Sequence, residues 1–379
     1  MSNCFPNTSD RGDRMEPRKI QIDTDCEGPL ALNDNAFELC REFIKPGGDR
    51  LFRQLSRYGD FLADIAKKPD YQAGGTLKFV LPFLKAAGLT NAQITEYSRK
   101  TIKLIQGVEK TYQFLKAQGW PLFEISAGYR QFAEAVGLKL GFAPDHIYCT
   151  ELDLDKYELS PGETKELMHL KDEVTAAPDL ELPPEAKTPE DLPAAARETI
   201  AKLDRIFFEK IPRMDIGVIY REVSPLGGPE KARALEDSLA KTGLSLADTI
   251  YVGDSLTDVP ALEAIRAGGG LGISFNGNRY AVNAAEIIVV ADTAWPIALL
   301  ACIFQMWGKE GVLEVAAPET PDKPRNLVLP EAVIEYIARG LKGRTFNLYS
   351  ARNLQRERII KESAAMQAKL RGAAVAELG

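Results

Sequence analysis

The hydrophobic positions of this chain fall into short runs that end at polar clusters. Helical stretches, in which apolar residues recur every three or four positions, separate these runs. Short buried strands that alternate with helices predict an α/β fold with a mostly parallel sheet covered by helices on both faces. Five runs are predicted as strands: residues 19–23, 121–126, 249–254, 271–275 and 287–291.

The connection between the first two predicted strands is unusually long. Residues 32–116 show helical periodicity, with apolar positions at Ala36, Leu39, Cys40 and Phe43. Because a simple crossover needs far fewer residues, this predicts an inserted helical cap domain above the strand ends, where it would act as a lid.

A second insertion is predicted at residues 161–209. Within it, residues 172–198 carry eight acidic residues, two basic residues and five prolines, a composition that predicts an exposed loop. The catalytic core is then predicted to comprise residues 19–31, 117–160 and 210–305. Residues 1–18 are predicted to be disordered.

Residues 306–379 are predicted as a C-terminal helical extension, with helices at 330–340 and 354–370. The last helix carries several basic residues: Arg352, Arg356, Arg358, Lys361, Lys369 and Arg371. We expect docking of a protein partner or homo-oligomer contacts through these helices, with membrane-surface binding as the alternative.

Composition narrows the classes of function. Lys and Arg number 47 against 54 Asp and Glu, a net charge of −7, so there is no overall basic surplus for binding nucleic acid. The longest apolar stretch, residues 295–304, is about half of the roughly 20 residues that a membrane span needs. The first 18 residues contain no apolar run typical of a signal peptide, which predicts a cytoplasmic location.

Two aspartates mark the end of the first predicted strand. Asp23 and Asp25 are separated by one residue, and side chains at i and i+2 can face the same side of a strand. One carboxylate can attack phosphorus to form an aspartyl phosphate, and the other can move protons between the leaving group and water. A turn of no catalytic importance is the alternative for an acidic pair of this kind.

Later segments supply groups that suit phosphate and a cation. Ser126 ends the second predicted strand, where its hydroxyl and the amides of Ala127 and Gly128 can hold phosphoryl oxygens; an ordinary helix cap is the alternative. Lys231 opens a helix and can face the phosphate. Hard oxygen ligands favour Mg²⁺, and the predicted metal group is Asp23, Asp25, Asp254 and Asp258.

In this order, the Asp-x-Asp pair, the serine, the lysine and the Gly253-Asp254-x-x-x-Asp258 segment resemble the haloacid dehalogenase (HAD) superfamily of phosphohydrolases. The resemblance covers roughly residues 19–300. It implies a Rossmann-like core with a C1-type helical cap, similar to phosphoserine phosphatases. It also implies that Asp23 is the nucleophile, Asp25 the acid/base, Ser126 and Lys231 the phosphate holders, and Asp254 with Asp258 the magnesium group.

The chain departs from that pattern after the aspartates. Cys26 and Glu27 stand where Gly-Thr is usual, which places a further carboxylate near the expected phosphate. The run from Asp25 to Pro29, followed by Asn33-Asp34-Asn35-Ala36, is more similar to the group named after subunit R of the archaeal energy-converting hydrogenase A. Glu27 is predicted to bind substrate, and Arg130 to meet a substrate anion unless it is solvated.

The leading interpretation is a magnesium-dependent phosphomonoesterase that acts on a small phosphorylated metabolite in a lidded cleft. A non-catalytic accessory or regulatory subunit, associated with a hydrogenase, is the alternative from another class. A phosphotransferase that passes the phosphoryl group to an acceptor other than water is the third.

Overall fold

A seven-stranded sheet forms the centre of the molecule. The computed structural model describes residues 18–183, 185–316, 329–351 and 355–372. The strand order is β3-β2-β1-β4-β5-β6-β7, in which β1 to β6 are parallel and β7 is antiparallel to β6. This confirms the predicted α/β class with a mostly parallel sheet. The strands are β1 (Gln21–Thr24), β2 (Leu122–Tyr129), β3 (Ile147–Thr150), β4 (Thr249–Gly253), β5 (Leu271–Phe275), β6 (Ile287–Ala291) and β7 (Phe346–Ser350).

Sixteen α-helices are present in the described part of the chain. In chain order they are α1 (Asn35–Phe43), α2 (Gly48–Asp60), α3 (Thr76–Phe79), α4 (Leu81–Ala86), α5 (Asn91–Thr101), α6 (Val108–Ala117), α7 (Arg130–Leu140), α8 (Pro161–Ala176), α9 (Ala194–Asp204), α10 (Ile219–Glu222), α11 (Pro229–Thr242), α12 (Val259–Ala267), α13 (Arg279–Ala284), α14 (Trp295–Val315), α15 (Glu331–Leu341) and α16 (Arg356–Arg371). No helix among the described residues combines the length and apolar character needed to cross a bilayer.

The sheet is buried on both faces because alternate residues of each strand belong to different apolar clusters. On β4, Ile250 and Val252 join the cluster that includes α6 and α14, whereas Tyr251 joins the cluster formed with α11 and α12. The strand order places β1 between β2 and β4. After β1, the chain first adds β2 and β3 on one side of it and then adds β4 and the later strands on the other side. A crevice forms beyond the carboxyl ends of parallel strands at such a point, and this positions the candidate site.

The predicted helical cap is present as a second apolar cluster. The chain leaves the core after β1 and returns before α6, and its two passages are bonded together. The Leu32 amide donates to the Lys103 carbonyl (2.7 Å), and the Ile105 amide donates to the Leu30 carbonyl (2.9 Å). We call these two passages, residues 30–33 and 103–105, the cap hinge.

The structure differs from the sequence prediction at residues 161–209. Residues 172–198 of this segment are predicted to be an exposed loop, but the segment contains α8 and α9, and both helices pack into the cap cluster. Leu167, Leu170 and Val174 form the buried face of α8, and the acidic side chains lie mostly on the opposite, solvated face. Residues 211–223, which were assigned to the core, also bury their apolar side chains in the cap.

The C-terminal extension is not only helical. Residues 346–350 form β7, which pairs with β6 in an antiparallel register, and this strand was missing from the prediction. The two predicted helices are present as α15 and α16. Ile359 and Ile360 of α16 pack on Val282 and Ile288, so the apolar face of this helix is covered within the molecule.

Two predictions for the termini have no test here. Disorder is predicted for residues 1–18; residues 1–17 lie outside the described residues, and Arg18 pairs with Asp248 at 2.9 Å. The expected partner or oligomer contacts through the C-terminal helices stay a prediction.

Candidate functional site

Three buried carboxylates meet where β1 and β4 end. Asp25 follows β1, and Asp254 and Asp258 follow β4. The Asp25 amide donates to the Val252 carbonyl at 2.8 Å, which continues the pairing of the two strands by one residue. One carboxylate oxygen from each of the three aspartates lies within 4.8 Å of the others. The structure therefore brings together three of the four residues predicted as the metal group.

Lys231 is the positive charge of this cluster. It lies in the first turn of α11 with its side chain fully buried, and its Nζ lies 2.7 Å from both Asp25 Oδ2 and Asp258 Oδ1. Burial disfavours the ammonium form, but the opposite charges of Asp25 and Asp258 outweigh it and raise the pKa of Lys231 above its ordinary value. Lys231 thus stays charged and fixes the position of Asp25.

Asp258 holds the loop after β4 in place. Its Oδ2 accepts hydrogen bonds from the amides of Asp254 and Ser255, both at 3.0 Å. Its Oδ1 accepts from Lys231 Nζ (2.7 Å) and from the Tyr251 hydroxyl (2.8 Å). Both oxygens of Asp258 are engaged in this way, so Asp258 orients the Asp254 amide and the Lys231 ammonium group.

Burial raises the pKa values of the two remaining carboxyl groups. For Asp25 burial raises the pKa to about 7, although the charge of Lys231 lowers it. For Asp254 burial raises the pKa well above the ordinary value, although Arg371 lowers it. Buried carboxylates that crowd one another in this way favour a bound cation or a proton.

Asp23, which is predicted as nucleophile and metal ligand, lies one layer below this cluster and does not line the cavity. Its Oδ1 accepts from Gln21 Nε2 (2.8 Å), and its Oδ2 accepts from Ser238 Oγ (2.6 Å). Ser238 lies on α11 about two turns beyond Lys231, on the same face of the helix. Asp23 and Asp25 therefore point to the same side of the sheet, but only Asp25 reaches its edge.

The second carboxylate beside Asp25 is Glu27. Its Oε1 accepts a hydrogen bond from the Asn35 amide at 2.6 Å, at the start of α1. A Cβ atom on Gly128 would lie 3.6 Å from Glu27 Oε2, so the carboxyl group also borders the end of β2. Burial raises the pKa of Glu27 well above its ordinary value, and the charge of Asp34 adds to the rise. Glu27 faces the site, where the sequence analysis placed it.

The phosphate-holding segment predicted around Ser126 lies inside β2. This strand is longer than predicted and has a register shift relative to β3 between Ile125 and Tyr129. Ser126 is buried, and its Oγ accepts a hydrogen bond from the Gly128 amide at 3.0 Å. Ala127 lines the cavity described below. Ser126, Ala127 and Gly128 are therefore adjacent to Glu27 and the cavity.

Arg130, for which contact with a substrate anion and solvation are the two expectations, does not line the cavity described below. Its side chain is about half exposed, at 49%, and it pairs with Glu151 and Glu134. Arg130 is the first residue of α7, and its partner Glu151 directly follows β3.

A cavity of about 140 Å³ separates the carboxylate cluster from the cap. The core contributes Asp25, Glu27 and Asp254 to its lining. The cap contributes polar side chains: Asp34, Ser56, Asp60, Tyr71 and Thr76. Arg371 of α16 also lines the cavity. The sequence predicts it only as one of several basic residues on a docking helix, so its position in the site was not predicted. A contact so distant along the chain leaves no local pattern in the sequence.

Comparison with protein-family models and with curated proteins gave no match. Among solved structures, the chain is similar to gene product AF1437 from Archaeoglobus fulgidus, with 28% identity and a TM-score of 0.74. That alignment covers 94% of this chain and 98% of the other. The fold is therefore shared over almost the whole chain.

Two further solved structures are similar to the chain at lower identity. A substrate-bound phosphoserine phosphatase aligns at 18% identity with a TM-score of 0.42, over 72% of this chain and 93% of the other. The HAD family hydrolase t0658 from Salmonella enterica serovar Typhi aligns at 14% identity with a TM-score of 0.37, over 68% and 64%. The fold and site define the class: an α/β protein with a carboxylate and lysine cluster beneath a helical cap.

Proposed function

We propose that this protein is a magnesium-dependent phosphomonoesterase in which Asp25 is the nucleophile and Glu27 the acid/base. One observation carries the proposal: Asp25, bonded to Lys231 and next to Asp254, lies at the floor of a cavity closed by a cap. The same residue types occur in the same order in the HAD phosphohydrolases that the sequence resembles. The proposed pair is displaced by two positions from Asp23 and Asp25.

The donor atoms of the site fit Mg²⁺. Asp25 and Asp254 would hold the ion, because carboxylate oxygens are the ligands that this cation prefers. When ionised, Asp25, Asp254 and Asp258 carry three negative charges, whereas Lys231 and Arg371 supply two positive ones. A dianionic phosphate would therefore enter a site that is already negative. When bound, the ion supplies the charge neutralisation that brings phosphate and the nucleophile together.

The proposed first step transfers the phosphoryl group to Asp25. A carboxylate oxygen of Asp25 attacks phosphorus, and the bond between phosphorus and the ester oxygen breaks. The leaving oxygen takes the proton of Glu27. The raised pKa of Glu27 suits this role, because the acid form must be available near neutral pH.

The second step regenerates the enzyme. Glu27, now a carboxylate, takes a proton from water as the water oxygen attacks phosphorus. The bond between Asp25 and phosphorus breaks, and inorganic phosphate leaves. Lys231 stays bonded to Asp25 throughout and holds its carboxylate in position. The amides near Ala127 are available for the phosphoryl oxygens.

The cavity lining favours a small, polar phosphate ester. The polar residues Ser56, Asp60, Tyr71 and Thr76 of the cap line the cavity. The alternative of a non-catalytic subunit was supported by Glu27, by the acidic insertion and by the extra C-terminal helices. As the proposed acid/base, Glu27 no longer supports that alternative.

The experiment that tests the proposal follows both the reaction and the residue that carries the phosphoryl group. Release of phosphate from a generic aryl phosphate is measured with Mg²⁺ and after complete chelation, and we expect activity only with Mg²⁺. Rapid mixing with borohydride, followed by peptide mass spectrometry, should then find the reduced acyl phosphate at Asp25. Activity that survives chelation would contradict the requirement for a metal. Reduction at a residue other than Asp25 would contradict its role as the nucleophile.

A further inference from the structure

The C-terminal helix ends in the candidate active site. Helix α16 is anchored along its length, because Ile359 packs in an apolar cluster and Ser363 Oγ donates to the Gly277 carbonyl at 2.6 Å. Its last residue, Arg371, is 10% exposed and lines the cavity with Asp25 and Asp254. The helix thus delivers a guanidinium to a site formed by strands far earlier in the chain.

Arg371 connects the cap hinge to the carboxylate cluster through all three of its nitrogens. Nε donates to the Leu32 carbonyl (3.2 Å), and Nη2 donates to the Asn33 carbonyl (2.7 Å). Nη1 donates to Asp254 Oδ2 (3.2 Å). The planar guanidinium group holds three acceptors in one fixed arrangement, which a lysine ammonium on a flexible stem does not reproduce.

The two carbonyls belong to the segment by which the chain enters the cap. Leu32 bonds to the returning passage through the Lys103 carbonyl, and the side chain of Asn33 accepts from the Lys103 amide at 2.8 Å. Asn33 Nδ2 also donates to Glu38 of α1 at 2.7 Å. Hydrogen bonds therefore connect Arg371, through Leu32 and Asn33, to both passages of the cap hinge and to the first cap helix.

We propose that Arg371 is a positioning residue that couples cation binding at Asp254 to the position of the cap hinge. This inference rests on the proposed function, since it takes Asp254 as a cation ligand. The Arg371 guanidinium and the cation compete for the same Asp254 carboxylate, so binding of one weakens binding of the other. Without the cation, Arg371 ties the cap hinge to the core; with it, the tie to Asp254 loosens and the hinge is released.

The test uses the full-length protein and Mg²⁺ alone. Hydrogen exchange is measured for peptides that cover residues 30–36 and 101–106, and Mg²⁺ affinity is measured by titration calorimetry. In the wild-type protein we expect Mg²⁺ to speed exchange at these peptides. In Arg371→Met we expect fast exchange without Mg²⁺, no further response to it, and Mg²⁺ binding tighter by roughly tenfold, within the usual range of coupling between two sites.

Two further variants separate positioning from charge and from folding. Arg371→Lys keeps the positive charge but loses the planar guanidinium group. We therefore expect an Mg²⁺ affinity close to that of the wild type, and hydrogen exchange at the cap hinge as fast as in Arg371→Met. Arg356→Met removes an arginine at the other end of α16, where the side chain bonds to Asn283 and the Ala351 carbonyl, and should change neither measurement.

The proposal is overturned if Arg371→Met leaves hinge exchange as in the wild type, or if the response to Mg²⁺ persists in it. Equal hinge exchange in Arg371→Lys and the wild type would reduce the role of Arg371 to its charge and also overturn the proposal. Neither measurement requires turnover. Failure of the phosphatase assay is therefore distinguishable from failure of this coupling.

Discussion

At the scale of single residues, two aspartates on the same side of β1 have different surroundings. Asp25 is bonded to Lys231 at the edge of the cavity, whereas Asp23 is enclosed by Gln21 and Ser238. Burial raises the pKa of Asp23 to about 7. Position along the strand, and not residue type, decides which of the two can meet a substrate.

The first prediction compares amide replacements at these two positions. Asp25→Asn should lower the turnover number by more than about 10³-fold, because the amide keeps the shape but cannot attack phosphorus. Asp23→Asn should keep turnover close to the wild-type value, since its amide can still bond within the same buried layer. Steady-state phosphate release checks both. The opposite ranking would restore Asp23 as the nucleophile.

A second prediction concerns Glu27. Glu27→Gln should slow turnover by about 10² to 10⁴-fold, the usual cost of losing one proton-transfer group. Formation of the acyl phosphate should depend on the leaving group in this variant, because a good leaving group departs without a proton. Rates across a series of aryl phosphates measure that dependence. Equal slowing for every leaving group would contradict the role of Glu27 as an acid.

The third prediction is a pH dependence of stability due to Asp60. Burial raises the pKa of this cap residue to about 7, with Arg57 acting against the rise. An acid with a raised pKa in the folded state contributes stability below its unfolded pKa of about 4 and loses it as the pH rises to about 7. Asp60→Asn should therefore gain stability relative to the wild type from about pH 5 to pH 8. Denaturant unfolding at both pH values checks this; a constant difference contradicts it.

The sequence predicted the edge of the sheet and most of the cluster, but it assigned the acidic pair to Asp23 and Asp25, whereas Asp25 and Glu27 line the cavity. Ile20 and Ile22 alternate with Gln21 and Asp23, so the apolar pattern indicates that the strand ends at Asp23. The strand continues because both polar side chains find buried partners, one of which, Ser238, is distant in sequence. No local pattern encodes that partner.

At the scale of elements, the turn after β1 is fitted closely to Asp254. Gly28 has a φ of +113°, and a Cβ atom there would overlap the Asp254 carboxylate. A glycine is required both by this backbone conformation and by the close approach. The turn and the loop after β4 are therefore adjusted to one another.

The fourth prediction tests that fit. Gly28→Ala should displace the Asp254 carboxylate and weaken Mg²⁺ binding, measured by calorimetry, by more than tenfold. Gly88→Ala is the matched control, because Gly88 has a φ of +81° but open space around it. Gly88→Ala should have a similar backbone strain of about 1–2 kcal/mol, but its methyl group would not collide with a neighbouring side chain. Equal weakening in both variants would mean that strain alone is responsible.

Element prediction was weakest where composition and periodicity disagree. The acids and prolines of residues 172–198 predicted a loop, yet Ala196, Ile200 and Leu203 lie on one buried face of α9. Spacings of four and three residues are typical of an amphipathic helix, so the signal was present but outweighed by charge. Strand β7 was missed for a different reason, because it is a single edge strand with partly exposed residues.

At the scale of the whole molecule, the cap and the core meet on two sides of the cavity. One connection is the cap hinge with Arg371. On another side, the Tyr280 hydroxyl of α13 donates to Asp64 Oδ2 in the cap at 2.9 Å. Gly74 of the cap also lies against Gly227 and Thr257 of the core. The closed arrangement is therefore held both by Arg371 beside the carboxylates and by contacts of Tyr280 and Gly74 on another side of the cavity.

The last prediction removes one of these contacts without touching the site. Tyr280→Phe deletes the hydroxyl that bonds to Asp64, which should lower the population of the closed cap. A hydrogen bond to a charged group contributes about 1.5–3 kcal/mol, and part of this is lost at an accessible position, so we expect inorganic phosphate to bind about fivefold more weakly in the presence of Mg²⁺. Tyr349→Phe is the matched control, because it deletes a similar bond to Glu362 Oε2 (2.7 Å) between β7 and α16. Weakening in both variants would indicate general destabilisation, and no weakening in Tyr280→Phe would mean that phosphate binding does not depend on closure of the cap at this contact.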